Sequence, residues 1–174
     1  MRKKSETRTI VLEDGISDEY VELLRDAVAS GKSMDFTARG TSMLPFIAAG
    51  AKLTVERFSG MPPPVGTICV GAKNGRLQCH RLIAVRERPG GRRQYILRGD
   101  NRRFPDEPYV EEDLVGRVTA VRHGLLEVKS EALVLRMAAQ VWMRCPRPAM
   151  LATAAALRLT RPARRLLRFL RSRL

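Results

Sequence analysis

Two residues in this 174-residue chain have the type and setting for hydrolytic chemistry: a serine in a turn-forming segment and a histidine inside an apolar run. Ser42 lies in Gly40-Thr41-Ser42-Met43-Leu44-Pro45, where a flexible residue, a hydroxyl and a proline interrupt an alternating pattern. The proline stops regular structure, so Ser42 is expected on a loop at a sheet edge, where nucleophiles are commonly displayed. A serine hydroxyl attacks poorly unless a base takes its proton. The chain offers two histidines. His123 precedes Gly124 and reads as an exposed turn residue, whereas His80 sits within the apolar run Leu77 to Val85. Alternation puts His80 on the strand face of Leu82 and Ala84, opposite Cys79 and Arg81. A carboxylate on the other imidazole nitrogen would fix the tautomer and stabilise the cation formed during proton transfer. Gly99-Asp100-Asn101 and the following Asp106 supply two such carboxylates, and either aspartate could serve.

The elements that must bring these residues together can be read from periodicity. Residues 17 to 31 form a helical pattern: Ser17 can cap it, Asp18 and Glu19 suit its first turn, and Gly31 can end it. Val21, Leu24 and Val28 share one of its faces. The period then changes to two, with Met34, Phe36 and Ala38 alternating against polar neighbours. Short apolar runs follow at 52 to 58, 67 to 72, 76 to 86, 94 to 98 and 114 to 121. Asn74-Gly75 between two of them suits a tight hairpin, and Pro89-Gly90-Gly91 and His123-Gly124 suit further reversals. Met61-Pro62-Pro63-Pro64 reads as an extended connection, since consecutive prolines lack the donors of a central strand. The pattern predicts a mainly β fold: a compact strand-rich core with an N-terminal helix.

Past about Glu131 the pattern is helical again, in pieces separated by Pro146, Pro148 and Pro162. In the last piece Ala163, Leu166, Leu167, Leu170 and Leu174 line one face, and Arg161, Arg164, Arg165, Arg168 and Arg171 occupy the rest. The expected organisation is an N-terminal arm over 1–16, a β domain with its leading helix over 17–130, and a helical basic extension over 131–174.

Apolar residues make up 44% and charged residues 29%, a balance that argues for a packed globular core rather than disorder. The formal charge of +14 suggests nucleic acid until its location is considered. From Ala132 to Leu174 there are ten arginines and no Asp, Glu or Lys, so most of the excess belongs to the extension. Nucleic acid is therefore not the expected partner; the basic amphipathic helix suits peripheral contact with an anionic membrane or packing against protein. Cys69, Cys79 and Cys145 have no metal-ligand spacing, and an odd count without an export signal argues for reduced thiols. The expected location is cytoplasmic, at most peripheral to the inner face of the membrane. No signal peptide or spanning helix is expected, because Ser5, Glu6 and Thr7 stand where an apolar stretch would be.

Gly-x-Ser-Met-x-Pro at 40–45 followed by Phe46-Ile47 and Gly50, then His80-Arg81-Leu82-Ile83, Arg98-Gly99-Asp100-Asn101 and Gly116-Arg117-Val118, resembles in order and spacing the catalytic core of signal peptidases. The resemblance covers about residues 35 to 121, half of the chain. Most bacterial leader peptidases and LexA-type repressors of this superfamily use a lysine base, whereas endoplasmic-reticulum and archaeal-type signal peptidases carry histidine before the arginine. Cys79-His80-Arg81 is similar to the latter branch. The resemblance implies a signal peptidase/LexA-like fold, with Ser42 as nucleophile, His80 as base, Asp106 as orienting acid and Asp100 in support. It also implies that Gly40, Thr41, Met43 and Pro45 shape the oxyanion and substrate region. The expected activity is endopeptidase cleavage of a precursor polypeptide after small residues, without metal or organic cofactor. The alternatives are a self-cleaving regulatory domain of LexA type, or a catalytically silent relative that binds peptides. One departure bears on mechanism: signal peptidases often have Ser-Gly-Ser at the nucleophile, and Gly40 stands where the earlier serine would donate to the oxyanion. Backbone N–H groups around Ser42 would have to replace that donor.

Overall fold

The computed structural model describes residues 9–11, 18–124 and 126–129. The expected cap Ser17, the expected extension over 131–174 and Cys145 lie outside the described residues. The chain is mainly β, as expected. Helix α1 (Asp18–Ala29) is its α-helix among the described residues. Eight strands make one sheet: β1 (Thr9–Val11), β2 (Met34–Thr37), β3 (Lys52–Glu56), β4 (Ile68–Lys73), β5 (Arg76–Glu87), β6 (Arg93–Arg98), β7 (Leu114–His123) and β8 (Leu126–Lys129). Their order is β1-β2-β3-β7-β4-β5-β6, with β8 paired to β7. All pairings are antiparallel except β1 with β2.

Helix α1 forms where the 3.6 period put it and stops at Gly31, whose φ of 82° is open to glycine without a side-chain clash. There the Lys32 N–H reaches the Ala27 carbonyl and the Gly31 N–H the Val28 carbonyl, which satisfies the last turn. Val21, Leu24 and Val28 are buried on one face. Each such side chain taken from water stabilises the fold by about 1.5–3 kcal/mol. The sheet accommodates the helix at Gly116 of β7: a Cβ there would stand 2.6 Å from the Glu56 carbonyl oxygen and 3.2 Å from Val28 Cγ1.

Strands β4 and β5 carry the division of the core. Ile68, Val70 and Ala72 alternate into a large cluster with Leu77 and Cys79, beside Phe36, Leu53, Val55 and the helix. Cys69 and Leu82 point the other way, into a smaller cluster with Tyr95, Leu97, Tyr109 and Leu114. The hairpin between them turns at Asn74 (φ 53°) and Gly75 (φ 68°), the positive pair its sequence predicts. The expected alternation along β5 fails at one point. A bulge shifts the register between Leu82 and Ala84, and Val85 rather than Ala84 packs with the cluster of Leu82. His80 and Leu82 therefore share a face that does not extend to Ala84.

Strand β7 joins the two halves. One of its edges pairs with β3 over 117–122; the other takes β4 over 114–117 and β8 over 120–123. The N-terminal arm, expected without an element, contributes β1 alongside β2.

Candidate active site

Ser42, His80 and Asp106 come from three separate stretches and meet in one hydrogen-bonded line. Ser42 sits in the turn between β2 and β3, half-buried, just past Gly40, whose φ of 74° sharpens the exit from the strand. Nothing crowds a Cβ at Gly40, so its glycine serves backbone conformation rather than space. Met43 is buried in the large cluster and Ile47 joins it, which anchors the turn from below. Thr41 and Pro45 are exposed. The Leu44-Pro45 peptide is cis.

His80 lies on β5, 3% exposed. Its Nε2 is 3.0 Å from Ser42 Oγ, and its Nδ1 is 2.5 Å from Asp106 Oδ2. With Nδ1–H donated to the carboxylate, Nε2 carries the lone pair that faces the serine hydroxyl. Asp106 belongs to a loop that leaves β6 after Arg98 and folds back along it. The Asp106 N–H donates to the Leu97 carbonyl, and Tyr95 and Tyr109 exchange both main-chain hydrogen bonds. These bonds fix the carboxylate relative to the sheet.

The same loop fastens the nucleophile turn. The Asn101 N–H donates to the Ser42 carbonyl at 2.7 Å, and Asn101 Nδ2 donates to the Thr41 carbonyl at 3.2 Å. Gly99 makes this approach possible: a Cβ there would stand 2.7 Å from the Ser42 carbonyl oxygen and 3.1 Å from His80 Nε2. Asp100, the second expected carboxylate, does not reach the imidazole. Both its oxygens accept from Arg81, at 2.7 Å each from Nε and Nη2, and both side chains are buried. Arg81 Nη1 also donates to the Gly66 carbonyl, and its guanidinium stacks 5.2 Å from the Phe46 ring. The pair thereby ties β5, the loop after β6 and the turn after Ser42 together.

Asn101, Gly99 and Arg81 stand in the sequence motifs without an expected role. For Arg81 a signal was present: a guanidinium in an apolar strand is always charged and must find a carboxylate. The close approach at Gly99 has no signature in one sequence.

Ser42, Thr41, His80, Gln78 and Asn101 line a cleft of about 760 Å³ whose inner wall is apolar, with Ala38, Met43, Ile47, Leu53 and Leu77. One side of it is strand β5, which over 76–80 has β4 on one edge and no strand on the other among the described residues, since β6 pairs only from Arg81 onward. Cys79 also lines the cleft, but its thiol is pushed up to about 12, first by burial and then by the Asp100 carboxylate, with Arg81 opposing. Burial also raises the Cys69 thiol. Both stay protonated and unreactive at neutral pH. Among the described residues no group of three or more His, Cys, Asp or Glu side chains could hold a metal ion, and no helix is long and apolar enough to cross a membrane. Neither the scan against protein-family models nor the search of curated proteins returns a match for this chain.

Proposed function

We propose that the protein is a serine endopeptidase that cuts a precursor polypeptide after small residues, on a scaffold similar to that of signal peptidases and LexA-type peptidases. The observation that carries this reading is the continuous line from Ser42 Oγ through His80 to Asp106 at 3.0 and 2.5 Å. Ser42 Oγ attacks the scissile carbonyl carbon while His80 Nε2 takes the hydroxyl proton. The resulting imidazolium is stabilised by Asp106, whose carboxylate remains ionised. Nε2 then gives that proton to the departing amine as the C–N bond breaks. Water, deprotonated by the same nitrogen, hydrolyses the acyl-enzyme and returns Ser42 to its hydroxyl form.

The cleft supports a peptide substrate in two ways. The edge of β5 beside His80, which no strand covers among the described residues, offers main-chain donors and acceptors to an extended chain. Its apolar inner wall, with Ala38, Leu53 and Leu77, suits a small side chain next to the cut. The oxyanion falls to main-chain N–H groups of the turn, because Gly40 has no hydroxyl to give.

The test is intact-mass analysis of peptides bearing Ala-x-Ala sites, incubated with wild type, Ser42→Ala, His80→Ala and Asp106→Ala. Cleavage by wild type that disappears in Ser42→Ala and His80→Ala is expected. Equal cleavage by wild type and Ser42→Ala overturns the reading.

A further inference from the structure

The cleft beside Ser42 has an uneven charge. Its lining includes Arg102 and, among the described residues, no carboxylate. Two acids of the adjoining loop are engaged by other groups: Asp100 is held by Arg81 with 3% of its side chain exposed, and Asp106 is held by His80 with 10% exposed. A ligand in the cleft therefore meets the charge of Arg102 beside an apolar floor, and low-dielectric walls focus such a field.

Arg102 is placed where this charge bears on the reaction. A methyl on Gly99 would stand 3.1 Å from Arg102 Cγ and 3.1 Å from His80 Nε2, so the arginine stem and the nitrogen that faces Ser42 Oγ flank the same glycine. In the proposed reaction that nitrogen protonates the departing amine, so the peptide beyond the scissile bond starts at His80, on the side of the cleft that Arg102 lines. An extended chain advances roughly 3.3–3.6 Å per residue. The first two residues after the cut thus come within reach of the guanidinium.

We propose that Arg102 selects polypeptides with an Asp or Glu in the first two positions after the scissile bond. This rests on the peptidase reading for its direction along the peptide, but the charge preference of the cleft is measurable without turnover. Arg102 is exposed, so solvent and salt limit the gain. A preference of about fivefold at low ionic strength is expected, shrinking as salt is added.

The experiment compares two fluorescent peptides, identical through an Ala-x-Ala site and followed by Glu-Glu or by Gln-Gln. Their affinities for the full-length Ser42→Ala protein are measured by anisotropy, and their kcat/KM values with wild type by mass spectrometry. The Glu-Glu peptide is expected to bind about fivefold tighter, with the ratio falling toward one in Ser42→Ala/Arg102→Gln. In Ser42→Ala/Arg102→Glu a Lys-Lys peptide is expected to bind best. Because each variant is judged by a ratio between peptides, a general loss of activity does not mimic the result. Equal affinity for the two peptides, or a preference that survives Arg102→Gln, overturns the inference. If wild type cuts both peptides equally well, the peptidase reading stands and the specificity fails. If wild type cuts neither while binding still follows Arg102, the specificity stands and the peptidase reading fails.

Discussion

His80 and Arg81 are neighbours on one strand, and each receives an aspartate from the same loop, yet the two pairs serve opposite ends. Arg81 keeps its charge at every accessible pH. Its bidentate pair with Asp100, buried and reinforced by the Gly66 carbonyl and the Phe46 ring, is a permanent fastening. His80 instead meets Asp106 through one nitrogen and keeps the other for Ser42. Its charge can change during a reaction. One loop thus provides a rigid clamp and a proton-handling pair six residues of chain apart, at Asp100 and Asp106. The arrangement teaches that the fixed pair positions the changeable one.

Substitutions at the two pairs break this comparison in different ways. The largest loss is expected at the reacting atoms: Ser42→Ala lowers turnover of an Ala-x-Ala peptide by on the order of a millionfold with little change in the urea midpoint, and His80→Ala lowers turnover by as much. Asp106→Asn keeps the shape but favours the wrong tautomer, and a loss of about four orders of magnitude in kcat is expected from the same peptide assay. Asp100→Asn should act on the fold instead. Leaving the Arg81 guanidinium buried without its carboxylate costs about 3–5 kcal/mol, seen as a lower urea midpoint and accompanied by lost activity. If Asp100→Asn were as stable as wild type and Asp106→Asn were unfolded, the division of labour would be reversed.

Gly99→Ala sharpens the comparison, because it touches both pairs through the backbone. Its methyl would push between the Ser42 carbonyl and the imidazole, and a displacement of about 1 Å there lowers kcat on the order of a hundredfold. The smallest effect is expected at the thiols. The Cys79 thiol is raised to about 12, so its anion is suppressed at pH 8, and peptide mapping after iodoacetamide should find Cys69 and Cys79 unmodified in the native protein. In concentrated urea, where burial is lost, both should react.

Much of the scaffold was legible because burial imposes period. The five apolar runs after Ala38 became β3 to β7, and the face of Val21, Leu24 and Val28 became the helix contact. Strand β1, three residues long, is too short for alternation to register. Register is a tertiary property, so the bulge after Leu82 could not be read from the run Leu77 to Val85. The site residues were found by type, whereas the choice between Asp100 and Asp106 depended on how a loop doubles back on β6. Arg81 decides the matter physically: it takes Asp100 and leaves Asp106 for the imidazole.

The position of β7 has a consequence for biosynthesis. Strands β3 and β4 do not pair with each other; β7 lies between them and holds the wing that bears Ser42 against the wing that bears His80 and Asp106. Along the nascent polypeptide Ser42, His80 and Asp106 all precede the strand that unites the wings, which begins at Leu114. Until that strand has docked, the proposed peptidase holds its three site residues in a disarmed form.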